Sequence, residues 1–153
     1  MWLEYLRARR GTALDVSDTE HALGVSFPPE FAALLLRYQG MRSETAVVTD
    51  SDGQEVRVGH LFFLTDAAES SQHNIRDLCL LFRKRGYPSS LVPFASGGGQ
   101  PHLALDYSGP GGEPSVSYVY PDGDAPETGF WSKTSVARDV ATFLDALQRT
   151  GDL

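Results

Sequence analysis

Ser96, His102 and Asp106 bring the residue types of a hydrolytic triad into eleven positions. A serine hydroxyl becomes a nucleophile when an imidazole takes its proton and a carboxylate orients that imidazole. The spacing here argues against such chemistry. A nucleophile elbow needs Gly-x-Ser-x-Gly on a strand-to-helix turn, whereas Ser96 follows Ala95 and leads into a Gly-rich turn between two expected strands. On one strand, His102 and Asp106 share a face about 13 Å apart, beyond a direct hydrogen bond. Gly97-Gly98-Gly99 offers backbone amides of the kind that cradle an anion. No Lys-Ser or Lys-Thr follows and no helix opens there. A turn that needs positive φ is the better reading, with Gly98 and Gly99 as fold residues. His21, His60, His73 and His102 lack HExxH or any paired spacing, so a metal site would have to be assembled from distant segments. Asp50-Ser51-Asp52-Gly53 begins like a calcium loop, but its twelfth position is Leu61 rather than Glu. The expectation is no catalytic residue, no metal and no cofactor.

The elements that must carry these residues follow from periodicity and turn chemistry. Trp2 to Arg10 reads as a short opening helix, and Ser17-Asp18-Thr19-Glu20 as the capping box of the next, closed by Gly24. Pro28-Pro29-Glu30 starts a helix that Gly40 stops, with Phe31, Leu34, Leu35 and Tyr38 along one apolar stripe. Asp50 to Gly53 turns a β-hairpin between Ala46-Val47-Val48 and Val56-Arg57-Val58. A helix is expected over Ser71 to Arg85 with Ile75, Leu78, Cys79 and Phe82 inward, ended by Gly86. Strands are expected at Leu91 to Ala95, His102 to Tyr107 and Ser115 to Tyr120, with a short edge strand at Phe130-Trp131. The closing helix takes Thr134 or Ser135 as its cap and buries Val136, Val140, Phe143, Leu144 and Leu147. Helices first, a mostly antiparallel central sheet of five to six strands, and a closing helix make an α+β fold with about four helices. One domain is expected over residues 1–153.

Bulk properties bound the function. At 153 residues, 41% hydrophobic and 22% charged, the chain can bury one core without metals or disulfides. Its one cysteine, Cys79, allows no internal disulfide framework. MWLEYLRARR has no apolar run of signal-peptide length, so a cytoplasmic protein is expected. The net charge of -7 opposes direct binding to nucleic acid or to an anionic membrane, since both require clustered cations.

That charge is unevenly spread. Residues 43–75 sum to -5, residues 76–85 to +3, and residues 86–132 hold no Lys or Arg and sum again to -5. The cation-free stretch is also the aromatic-rich one, with Tyr107, Tyr118, Tyr120, Phe130 and Trp131. Tyr118 and Tyr120 must share a strand face. An exposed aromatic set rimmed by carboxylates suits a protein interface, where aromatic rings anchor and charges steer. The candidate partner-binding residues are therefore Asp50, Asp52, Asp106, Tyr118, Tyr120, Asp122, Asp124, Glu127 and Trp131. An acidic surface also serves solubility alone.

Three ordered elements resemble the SUKH superfamily (Smi/Knr-like). The first is Leu23-Gly24, Phe27-Pro28, Phe31 and Gln39-Gly40; the second is Pro93-Phe94-Ala95, Gly97-Gly98-Gly99 and Leu105-Asp106; the third is an amphipathic helix, Val136 to Leu147. Phe27, Phe31 and Gln39 depart from the usual Leu, Tyr and Asn, changes among residues of similar kind. The resemblance implies fold roles for Gly24, Pro28, Phe31, Gly40, Pro93, Gly98 and Gly99. It also implies an intracellular, non-enzymatic α+β domain of a kind known in bacteria mainly as immunity proteins that neutralise polymorphic toxins, often nucleases. In fungi the family includes regulators of cell-wall synthesis. The leading expectation is an immunity protein whose acidic surface binds a basic toxin domain. The alternatives are a regulatory or scaffold domain for an endogenous partner, and a small ligand-binding domain or enzyme using Gly97 to Asp106.

Overall fold

Apolar residues at alternate or helical spacing place the elements around a four-stranded antiparallel sheet, and a computed structural model describes residues 2–4, 10–65, 74–98, 100–122 and 131–151. In chain order these are β1 (Trp2–Glu4), α1 (Ala13–Leu23), α2 (Pro29–Tyr38), β2 (Met41–Ser43), β3 (Val47–Thr49), β4 (Glu55–Arg57), α3 (Ile75–Lys84), β5 (Leu91–Ser96), β6 (His102–Asp106), β7 (Ser115–Pro121), β8 (Trp131–Ala137) and α4 (Val140–Gly151). The central sheet runs β5-β6-β7-β8, flanked by the two-stranded ladders β1-β2 and β3-β4. The fold is α+β, as the sequence pattern implies.

Residues 59–63 join the small β1-β2 ladder to the central sheet. On one side Phe62 N donates to Phe94 O (2.9 Å) and Ser96 N to His60 O (2.9 Å); on the other Leu61 N donates to Met41 O (3.0 Å). Every backbone group so paired escapes the cost of a buried unsatisfied donor or acceptor.

α2 shows how sequence becomes core. Pro29 and Glu30 suit its first turn, and Gly40 leaves it at φ 73°. Its buried stripe is Phe31, Leu34 and Leu35. Phe31 meets Phe27 edge-on at 5.2 Å and Phe94 at 5.1 Å, and Phe94 meets Phe143 at 5.7 Å. These rings join α2, β5 and α4 through one core. Polar atoms lock the same corner: Gln39 Oε1 accepts from Leu64 N (2.9 Å), Glu20 Oε2 from Phe27 N (2.6 Å), and the Tyr107 hydroxyl donates to Ser26 O (2.7 Å). Cys79 is fully buried, and burial pushes its thiol up to about 11.

Five local expectations are corrected. Trp2–Glu4 is a strand, because Met41–Ser43 offers it an antiparallel partner and tertiary pairing outweighs helix propensity; residues 5–9 lie outside the described segments. α1 begins one turn before the expected box. Asp15 Oδ2 accepts from Thr12 N (2.8 Å) and Thr12 Oγ1 (3.0 Å), while Ser17, inside the helix, donates to Ala13 O (3.2 Å). At the other end, Thr134, Ser135 and Val136 stay in β8 because β7 supplies backbone partners along it. α4 is capped instead by Asp139, whose Oδ1 accepts from Thr142 N at 2.7 Å. The edge strand is accordingly Trp131–Ala137, with residue 130 outside the described segments. α3 starts at Ile75 behind an Asn74 cap whose side chain accepts from Asp77 N (3.1 Å); residues 71–73 also lie outside.

Candidate functional site

β7 sets the site because alternate residues of a strand point to opposite faces. Tyr118 and Tyr120 stand on one face with ring centroids 5.9 Å apart. Their cross-strand neighbours are Thr134 and Ser132. Thr134 Oγ1 donates to Asp50 Oδ2 (3.1 Å) and Ser132 Oγ to Asp122 Oδ2 (3.4 Å). Ser51 N also donates to Ser135 O at 2.7 Å. The β3-β4 turn is thus clipped to the edge of the central sheet, and three carboxylates, Asp50, Asp52 and Asp122, come to the strip that carries the two tyrosines.

The acidic groups there differ in what they can do. Asp50 Oδ1 accepts from Asp52 N and Gln54 N, both at 2.9 Å. The Gln54 amide, with Thr134 and Asp52, holds the Asp50 carboxyl below its ordinary pKa. Asp50 therefore shapes the turn and keeps its charge, while Asp52 and Asp122 are exposed. Burial first, and then the Asp50 charge, raise the Tyr118 hydroxyl above its usual value, so both the ring and a protonated OH are on offer. Gly97 makes room for that ring: a Cβ there would stand 2.8 Å from Tyr118 Cε2.

Two expected surface residues lie elsewhere. Trp131 pairs with Pro121, so it faces away from Tyr120. Its ring packs on Phe82 (5.6 Å), Tyr87 (5.5 Å) and His102 (5.4 Å). Asp106, expected at the partner surface, is 4% exposed. Its carboxylate takes Ser108 N (2.9 Å), Ser108 Oγ (2.6 Å), Ser117 Oγ (3.4 Å) and Lys133 Nζ (2.6 Å). Burial pushes its pKa up, but the Lys133 and Ser108 hydrogen bonds and the Lys133 charge outweigh this and hold it below the ordinary value. A carboxylate on a strand face needs such partners when covered. Asp124, Glu127 and Gly99 lie outside the described residues. Gly24 and Gly98 sit at φ 69° and 93°.

His102 also has partners other than a nucleophile. Gln100 O can only accept, so Nδ1 carries the proton at 3.1 Å, and Nε2 accepts from the Tyr87 hydroxyl at 2.8 Å. Burial lowers the pKa of His102 to about 4 from 6.5. Because the unfolded chain protonates first, stability is full above about pH 6.5 and falls as pH drops towards 4, by about 3 kcal/mol from this one group. Urea denaturation at pH 7 and pH 4.5 should show that loss shrink in His102→Gln; an unchanged pH dependence would remove His102 as its source.

A family model described as the SMI1 / KNR4 family (SUKH-1) matches residues 11–146. The chain belongs to the SMI1 / KNR4 family. A comparison with curated proteins finds no match. The SUKH-1 match spans α1 to most of α4 and contains the acidic, tyrosine-bearing strip. Domains of this family mediate protein interactions, include immunity proteins and Knr4-like regulators, and are generally non-catalytic. Among the described residues no helix is long and apolar enough to cross a membrane.

Sequence reasoning did not foresee Ser132 and Thr134, which tie Asp122 and Asp50 to the sheet. Their hydroxyls are the only signal in the sequence, and there Thr134 or Ser135 reads as a helix cap.

Proposed function

We propose that this SUKH-1 chain is a non-catalytic immunity protein that binds and neutralises a basic toxin domain through Asp50, Asp52, Tyr118, Tyr120 and Asp122. The observation that carries this reading is the meeting of the β3-β4 turn with β7 and β8, where Thr134 bonds Asp50 beside the tyrosine pair. Aromatic anchors rimmed by like charges fit a partner of opposite sign. Trp131 and Asp106 are left to the fold, and no proton-transfer or metal step is needed for inhibition by occlusion. The protein would act in the cytoplasm, where a toxin's producer must protect itself.

Electrostatic steering is testable against a basic toxin domain identified by sequencing the genes that flank this one. Asp52→Lys with Asp122→Lys should slow association about tenfold at low salt and flatten its salt dependence. An association rate unchanged by both substitutions would remove the acidic strip from the encounter.

A further inference from the structure

The chain's charge is -7, yet one cleft of about 660 Å³ is lined by Arg42, Arg57 and His60 together with Ser96, Gly98 and Glu44. Three separate strand segments deliver the two guanidiniums and the imidazole. Arg42 lies opposite His60 across an antiparallel bridge, so their side chains share a face. Arg57 stands outward because its neighbours Val56 and Val58 are buried. The floor is the end of β5. Gly59 N donates to Ser96 O at 2.7 Å, and a Cβ on Gly59 would stand 3.1 Å from both Ser96 O and Ser96 Oγ. Gly59 thereby lets the strand segment lie against Ser96 and keeps the floor open. The Gly-rich turn after Ser96 has no cation near it in sequence; the fold brings two guanidiniums to its side.

We propose that this cleft binds a small phosphate monoester. A carboxylate is satisfied by one planar guanidinium fork. Donors that arrive from β2, from β4 and from the floor suit a tetrahedral oxyanion better. The volume exceeds that of the anion and lies within the range of small-molecule sites, leaving room for the organic remainder. Glu44 accepts from Arg42 at 3.2 Å, but both side chains are well exposed, 47% and 68%. Exposed pairs of this kind are worth little, so the Glu44 contact does not bar Arg42 from a phosphate oxygen. The cleft shares no lining residue with the acidic strip, which it adjoins where Tyr118 packs on Gly97, and the proposal does not depend on the immunity reading.

Calorimetric titration of the full chain at pH 7 and low salt tests the proposal, with adenosine 5′-monophosphate, inorganic phosphate and adenosine as probes. Saturable binding of the monophosphate, tighter than inorganic phosphate and absent for adenosine, is expected. Arg57→Gln and Arg42→Gln should each weaken it about tenfold or more, Glu44→Gln should tighten it, and the exposed Arg138→Gln should leave it unchanged. Circular dichroism establishes that each variant is folded. No saturable heat with the monophosphate overturns the proposal. So does equal affinity in the Arg57 and Arg138 variants, or inorganic phosphate binding as tightly as the monophosphate.

Discussion

Phe31→Ala is expected to destabilise the fold by about 3–5 kcal/mol, the range for emptying a fully buried aromatic site. Phe31 is 0% exposed and meets Phe27 and Phe94 edge-on. The cavity would open where α2, β5 and, through Phe94, α4 converge, so no one element can relax to fill it. A domain of this size has about 5–15 kcal/mol in hand, so the loss is a large share of the total. Urea unfolding reads it as a lower midpoint at unchanged slope. Phe31→Leu, which keeps most of the volume, should recover more than half of the loss. A midpoint for Phe31→Ala equal to that of the parent chain would show that the ring is not a joint of the core.

Tyr118→Ala combined with Tyr120→Ala should weaken toxin binding by about 100- to 1,000-fold, as loss of two aromatic hot spots does. The rings lie 5.9 Å apart at the strip where Asp50 is bonded to Thr134. Tyr120→Ala alone should carry a large part of that loss with little change in stability, because Tyr120 is only half-buried. Tyr118 is also packed beside Gly97, so its removal should affect both folding and binding. Trp131→Ala provides the contrast. Its ring closes a cluster with Phe82, Tyr87 and His102 on the opposite face, so it should lower stability while the folded fraction still binds. Binding isotherms and thermal unfolding on the same three proteins separate these effects. If Trp131→Ala weakens binding more than the tyrosine pair does, the interface lies on the other face.

Local signals in the chain were enough for the elements whose partners are close in sequence. The Asp50 to Gly53 turn produces the β3-β4 hairpin, Pro29 and Gly40 bound α2, and three segments joined by Gly- or Pro-rich turns become β5, β6 and β7. Signals were insufficient where a distant partner decides. Trp2–Glu4 is a strand only because Met41–Ser43 lies beside it, and Thr134 is a strand residue only because β7 pairs with it. The candidate site divides in the same way. Alternation placed Tyr118 and Tyr120 together, and the same rule, applied across the β7-β8 register, sends Trp131 to the opposite face. The burial of Asp106 required knowing that Lys133, twenty-seven positions on, stands over it. The cationic cleft was illegible because Arg42, Arg57 and Ser96 meet only after residues 59–63 have inserted between β2 and β5.

Immunity by direct occlusion is tested most directly by sequencing the flanking genes for a toxin domain, mixing that purified domain with the chain and following toxin activity against molar ratio. Stoichiometric loss of activity at one chain per toxin is predicted, with Tyr118→Ala/Tyr120→Ala failing to inhibit and Trp131→Ala, where folded, still inhibiting. Full toxin activity at excess chain, or inhibition undiminished by the tyrosine substitutions, would contradict the account.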